Sequence, residues 1–301
     1  MPPQQQSAVT RPLDAAATSL MLLLCLLWAF NQVAIKLAIP DVPPVIQAAI
    51  RSSFAALLVA AWASARGIPL TTRDRTLLPG IAAGVLFGLE FLLIYRGLLW
   101  TSASRAVLFI YTAPFFVVLG SRWFLPGDRF TVAQWLGLLL SFVGIVLAFG
   151  FPAPSGNPHE LLGDFMQLAA GAAWGATTVI MKASALSRAP FEKVLLYQLG
   201  VSAPLLAAGA MLFGERIAGV PSGLTLASIG YQVFVISSAS YLAWFALIQR
   251  YSASRLSAFT FLTPLFGVAA GHLVLGEPIT PAFALAVLLV IVGLFLVNWP
   301  K

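Results

Sequence analysis

Ten apolar runs, each about as long as a bilayer is thick, constrain this chain more than any other feature. A helix needs about 20 apolar residues to cross a hydrocarbon core of roughly 30 Å. The qualifying segments are 15–39, 44–65, 77–99, 104–125, 131–151, 161–186, 190–213, 224–250, 253–274 and 281–299. Lipid offers no hydrogen bonds, so each run must satisfy its own backbone as a helix. Proline and glycine punctuate the connections at Pro40 to Pro44, Pro126-Gly127-Asp128, Pro152 to Pro158 and Gly276-Glu277-Pro278, where a further helical turn cannot form. The first apolar run is too long for a secretory signal and carries Asn31, Gln32 and Lys36, so it reads as a retained helix. Residues 1–14 are polar and are expected to be a disordered cytoplasmic tail.

Composition narrows the class. Hydrophobic residues make up 60% of the chain and charged residues 9%, against about 25% charged in an ordinary soluble domain. A soluble enzyme and a disordered chain are both excluded. The net charge of +7 comes from singly scattered basic residues, so no nucleic-acid stripe is expected. Basic loops instead report topology. With the N-terminus inside, the inner side holds Arg11, Arg66, Arg73, Arg75, Arg122, Arg129, Arg188, Lys193, Arg250, Arg255 and Lys301, and the outer side only Arg105 and Arg216. Both termini are therefore expected in the cytoplasm. The single Cys25 leaves no disulfide framework and no cysteine-based metal site within one chain.

The two halves resemble each other. Ser102-Ala103-Ser104-Arg105 recurs as Ser252-Ala253-Ser254-Arg255 at an offset of 150, with Phe109, Pro114 and Phe116 matching Phe259, Pro264 and Phe266. At 146, Trp28, Val33 and Lys36 match Trp174, Val179 and Lys182; at 149, Gly127 and Thr131 match Gly276 and Thr280. A repeat of five spans crosses an odd number of times, so its second copy sits upside down. Inverted repeats characterise secondary transporters, with substrate bound near the midplane between them. The expected fold is an all-α polytopic membrane protein. Its ten transmembrane helices form two inverted five-helix repeats around a central cavity, 15–151 and 161–299, joined by a linker at 152–160.

On these residues the chain is similar to a known family. Trp28-x4-Val33-x2-Lys36, then Pro44, Arg51, Tyr95, Ser102 to Arg105, Pro114 and Gly127-Asp128, resembles the EamA family of the drug/metabolite transporter superfamily. The second half carries Ser252 to Arg255, Thr263-Pro264, Leu275-Gly276-Glu277 and Gly293. Asp128 stands where the family usually has a glutamate. Glu90, Tyr111, Trp174 and Tyr241-x2-Trp244 look like the bacterial exporters of aromatic and neutral amino acids. The resemblance implies a bacterial inner-membrane location and export of amino acids or related metabolites, with drugs or nucleoside-type metabolites as the alternative.

Buried charge is the strongest local signal for a site. Glu90 lies about thirteen residues, roughly 20 Å, into its span. An unpaired charge there costs at least about 2.5–3.5 kcal/mol. It either binds a substrate ammonium or a proton, or pairs structurally with Arg51 or Arg96. The candidate binding residues are Trp28, Asn31, Glu90, Tyr111, Trp174, Tyr241, Trp244 and Phe261, whose aromatic faces and amide suit an apolar side chain with polar ends. Trp62, Trp100, Trp123, Trp135 and Trp299 are expected in the interfacial belts. Pro114 and Pro264, read as mid-helix bends, and Lys36 and Lys182, at equivalent places near opposite faces, are the hinge and gating candidates. His272 is a candidate proton shuttle. Gly84-x3-Gly88 and Gly267-x3-Gly271 predict close helix packing.

The chain has no HExxH, GxSxG or Walker motif, so neither an enzyme nor direct ATP drive is expected. A channel is disfavoured because no filter motif is visible. No cofactor or metal is expected. The expected partners are a small-molecule substrate, an amino acid, and the lipid bilayer, and the expected state is a monomer.

Overall fold

The structure, a computed structural model, describes residues 13–71, 74–125, 128–150, 157–275 and 281–299. Among them every regular element is helical: α1 (Ala15–Ala38), α2 (Pro44–Ala65), α3 (Leu77–Gly97), α4 (Ala103–Ile110), α5 (Ala113–Phe124), α6 (Val132–Phe149), α7 (Glu160–Ala183), α8 (Phe191–Leu212), α9 (Gly223–Gly230), a π-helical segment (Tyr231–Ser240), α10 (Tyr241–Arg250), α11 (Ala253–Phe259), α12 (Leu262–Leu275) and α13 (Ala282–Asn298), with a 3₁₀ turn at Ala185–Arg188. Arg11, Arg73, Pro126, Gly127, Gly276 to Thr280, Lys301, most of the 152–160 linker and most of the expected tail lie outside the described residues. Asp14 is described: its carboxylate caps α1, accepting from the Ala17 N–H at 2.8 Å.

Eight helical stretches are long and apolar enough to cross a membrane, and α13 is a shorter apolar helix of 17 residues. The expected span at 161–186 corresponds to α7, which is not among the eight. Its buried face is made of Glu160, Asp164, Gln167, Thr177, Thr178 and small residues. That face packs on α3, α4 and α5, while Leu161, Leu162 and Phe165 of the same helix point outward. On other helices large apolar side chains also point outward, such as Leu57, Trp123 and Phe234, as lipid requires.

Two expected spans are broken. Helix α4 ends at Ile110 and α5 starts at Ala113; α11 ends at Phe259 and α12 starts at Leu262. Pro114 and Pro264 therefore sit in the first turn of a second half-helix instead of bending a continuous one. There a missing N–H costs nothing, because the first four are unpaired anyway. Hydroxyls reinforce the turns at the breaks: Thr112 Oγ1 donates to Phe109 O and Thr260 Oγ1 to Ser257 O, both at 2.6 Å, where the same residues' N–H groups also donate.

Packing runs mostly between the halves, and it is reciprocal. Helices α6 and α13 pack together, as do α2 and α8; α3 and α5 pack on α7, while the π-helical segment with α9, and α12, pack on α1. Glycines permit the closest approaches. A Cβ on Gly137 would fall 2.5 Å from Gly293 O, and one on Gly84 2.6 Å from Tyr197 O. Gly84-x3-Gly88 is thus the contact predicted from its spacing, against α8. Gly267 is not: nothing lies within 4 Å of its Cβ position.

Candidate functional site

A buried arginine organises the site. Arg51, on α2, is 1% exposed. Its guanidinium lies 4.2 Å from the centroid of the Phe91 ring, while its Nε and Nη2 have no hydrogen-bond partner. Glu90, on α3 and 8% exposed, is buried near it. Among the described residues the two form no ion pair, so the pairing expected as the structural alternative is not made. Nor is Arg96 the partner, since it lies over Trp100 and Phe213. A guanidinium buried without its full set of acceptors is costly. Stacking on Phe91 recovers only part of that cost, so the two bare nitrogens need an explanation.

A string of rings leads away from Arg51. Phe91 packs on Phe87 at 5.0 Å between centroids, and Phe87 meets Tyr241 edge-on at 5.8 Å. One turn along α10, Trp244 meets Trp28 edge-on at 5.6 Å. The Trp28 indole N–H donates to Ser240 Oγ at 3.0 Å, and that hydroxyl donates to Ile236 O at 2.6 Å. Asn31 lies one turn beyond Trp28 on α1, its Oδ1 buried without a partner. Ser237 Oγ, in the π-helical segment, is likewise buried and unpartnered. That segment widens the helix just before Tyr241, and π-turns recur at functional sites because they re-aim side chains.

The other candidates form two more groups. Tyr111, at the α4–α5 break, packs edge-on against Trp174 of α7 at 6.0 Å. Phe261, at the α11–α12 break and fully buried, meets Phe115 at 6.5 Å and Phe142 at 6.3 Å. Tyr111, Phe261, Trp28, Tyr241, Trp244 and Phe87 all belong to one continuous core. A cavity of about 400 Å³ reaches this core from the side, lined by Trp62, Arg66, Ile68, Phe191, Glu192 and Leu242. Leu242 is the neighbour of Tyr241, and Arg66 stacks over Trp62 at 4.4 Å.

The remaining candidates lie further out. Lys182 donates to three carbonyls at the end of α10, Ile248 O at 2.6 Å, Gln249 O at 3.1 Å and Tyr251 O at 2.9 Å. Its ammonium is turned into the protein, not toward headgroups. Lys36 stands exposed in the last turn of α1. His272 is exposed in the last turn of α12. Trp62, Trp123 and Trp299 are exposed as a belt requires; Trp100 and Trp135 are half-buried. No group of three His, Cys, Asp or Glu able to hold a metal occurs among the described residues. Sequence reasoning gave Arg51 only as a partner for Glu90; its position inside an apolar span was the available signal. Phe87 carried no distinguishing signal, because its role depends on Tyr241, over a hundred positions away.

Comparison with known proteins adds to this geometry. The EamA-like transporter family matches residues 16–150 and, separately, residues 161–299. The relative from Escherichia coli K12 named "Probable amino-acid metabolite efflux pump" is 26% identical, over 94% of this chain and 96% of its own length. A relative of the same name from Salmonella typhimurium LT2 is 23% identical, over 92% and 93%. The uncharacterized transporter YvbV of Bacillus subtilis 168 is 27% identical, over 96% and 93%. A solved crystal structure of a protein matches with a TM-score of 0.80 at 23% identity, over 94% of this chain and 96% of that one, a likeness of fold.

Proposed function

The chain belongs to the EamA-like transporter family, and from that premise we propose that it is a secondary transporter exporting aromatic and neutral amino acids, or related small metabolites, across the bacterial inner membrane. The observation that carries the reading is a fully buried guanidinium with two unpartnered nitrogens, beside a buried carboxylate, at the head of an aromatic string. A zwitterion with an apolar side chain complements this set. Its carboxylate accepts from Arg51, its ammonium is received by Glu90, and its side chain lies among Trp28, Tyr241, Trp244, Tyr111, Trp174 and Phe261. Asn31 supplies a further polar contact.

The mechanism is alternating access by two inverted five-helix repeats, ten spans in all, about a central cavity with both termini cytoplasmic. Reciprocal packing supports it, since exchanging the halves exchanges α3 on α7 for the α9 and π-helical segments on α1. The breaks before Pro114 and Pro264 are the hinges. The three bonds of Lys182 to α10 close one end, and Lys36 marks the opposite one. Export of drugs or nucleoside-type metabolites is the second reading, favoured by the aromatic string but leaving Arg51 and Glu90 without a role.

Proteoliposomes loaded with radiolabelled phenylalanine, tryptophan or leucine test it. Saturable, stereoselective efflux is expected. Glu90→Gln and Arg51→Gln each remove a charge-assisted contact of about 1.5–3 kcal/mol, so each raises KM roughly ten- to hundredfold. No flux across a broad amino-acid panel, or wild-type kinetics in both variants, sinks the proposal.

A further inference from the structure

The two copies of the Ser-Ala-Ser-Arg motif share a backbone and differ in electrostatics. In each, the leading serine caps a helix: Ser102 Oγ accepts from the Arg105 N–H at 3.3 Å, and Ser252 Oγ from the Arg255 N–H at 3.1 Å. In the first copy the arginine meets a carboxylate. Arg105 Nε donates to both oxygens of Asp164 at 3.1 Å, its Nη2 also bonds Asp164, and Glu160 lies 3.6 Å away. Asp164 further accepts from Thr101 Oγ1 at 2.5 Å.

The repeat offsets give the equivalent residues in the second copy. Subtracting 146 from 164 gives Thr18, and adding 150 to 105 gives Arg255. Thr18 and Arg255 do face each other, across a cavity of about 240 Å³ whose walls are Leu13, Phe259, Leu294, Phe295 and Asn298. Where one copy has a carboxylate, the other has a shorter neutral hydroxyl and a hollow. Arg255 makes no ion pair among the described residues. Asp14, equivalent to Glu160, is turned to the Ala17 N–H and accepts from the Tyr251 hydroxyl at 2.7 Å.

We propose that the hollow beside Arg255 is a binding site for an acidic phospholipid, with the phosphate against the guanidinium. It lies between the first turns of α1 and the last turns of α13. Those are the ends of apolar helices, the level at which lipid phosphates lie. The cavity is several times the roughly 30 Å³ share of one water, so it has room for more than a bare ion. Its walls are mostly apolar, as the glycerol and first acyl carbons require. Asn298 Oδ1 is a buried acceptor without a partner, which suits a headgroup bearing hydroxyls, such as phosphatidylglycerol. Basic pockets between membrane helices bind anionic headgroups in this way.

The test uses the full chain in nanodiscs of phosphatidylcholine, with and without phosphatidylglycerol, reading Tm and the lipid retained in native mass spectrometry. Phosphatidylglycerol is expected to raise the wild-type Tm and to be retained about fivefold over phosphatidylcholine, the preference of one basic group near an anionic lipid. Arg255→Gln and Thr18→Asp should both lose that preference. Thr18→Asp should also keep at least the wild-type Tm in pure phosphatidylcholine, because it rebuilds the carboxylate–guanidinium pair of the other copy. Persistence of the preference in both variants overturns the proposal. An equal Tm shift from inorganic phosphate in phosphatidylcholine discs overturns it too, by making the ligand a free anion.

Discussion

Replacing Gly84 by alanine is the sharpest probe of how the site is held. A Cβ at this position would lie 2.5 Å from Val201 Cβ and 2.6 Å from Tyr197 O. Ordinary contact begins near 3.4 Å, so α3 and α8 must separate by 3.4 − 2.5 to 3.4 − 2.6, or 0.9 to 0.8 Å. One obstacle is a backbone carbonyl, which no rotamer change removes. Overpacking of this kind costs about 1–3 kcal/mol, and alanine returns about 1 kcal/mol of helix propensity. A net loss of up to about 2 kcal/mol remains, or a Tm fall of up to roughly 8 °C. Gly267→Ala is the control. It meets open space, so the propensity gain acts alone and Tm is unchanged or rises. The displacement also reaches the site, because Phe87, Glu90 and Phe91 follow Gly84 on α3 within about 11 Å. A shift near 1 Å in a positioning element can cost as much as about a hundredfold in rate, so Gly84→Ala should slow transport of the proposed amino-acid substrate while Gly267→Ala does not. Thermal unfolding in detergent and proteoliposome flux, run on both variants, decide it. Equal Tm values, or a Gly84→Ala protein with wild-type flux, would refute the reasoning.

Three further outcomes are expected. Lys182→Met removes the donor to three carbonyls at the end of α10; at about 1.5–3 kcal/mol for one charge-assisted bond, Tm should fall by several degrees, with partial recovery in Lys182→Arg. Trp28→Phe keeps a ring facing Trp244 but loses the 3.0 Å bond to Ser240, a loss of about 0.5–1.5 kcal/mol visible in Tm and accompanied by altered tryptophan emission from Trp244. Asp41, in the loop after α1, accepts from Thr225 Oγ1 at 2.6 Å and from the Ser222 N–H at 2.8 Å, and these bonds lower its pKa, the Thr225 hydroxyl most. Because the folded value lies below the unfolded one, near 3.9, the stabilisation is fully present above that value and disappears as pH falls through the folded pKa. Asp41→Asn should therefore flatten the acid limb of a Tm-against-pH curve below about pH 4 and leave its neutral region parallel to wild type.

What the sequence revealed followed the demands of the bilayer. Long apolar runs were legible because lipid tolerates few alternatives to a helix, and Glu90 stood out because charge inside such a run is expensive. Helix α7 shows where that logic stops. Its length was legible, but the polar and small residues of its buried face reflect packing on α3, α4 and α5, which no local pattern reports. The breaks at Tyr111-Thr112 and Thr260-Phe261 were hidden for a related reason. Proline is accepted both inside a membrane helix and in the first turn of a new one, and only the neighbours decide which. Opposite charges in one membrane suggest a pair, which makes Arg51, like Arg96, a candidate counter-ion for Glu90 beside the substrate- or proton-binding reading of that carboxylate. The stacking of Arg51 on Phe91 instead depends on how α2 and α3 are rotated.

The internal repeat marks the same limit more finely. Duplicated residues conserve what the backbone does locally: Ser102 and Ser252 cap helices in one geometry. They do not conserve partners, because each copy faces the other copy's helices and not its own. Arg105 reaches Asp164, while Arg255 reaches Thr18 and a hollow. This difference lies at a contact between halves, where the partner's identity was free to diverge without disturbing the cap. In a duplicated membrane chain, asymmetry at equivalent positions such as Arg105 and Arg255 therefore separates what the two faces can bind.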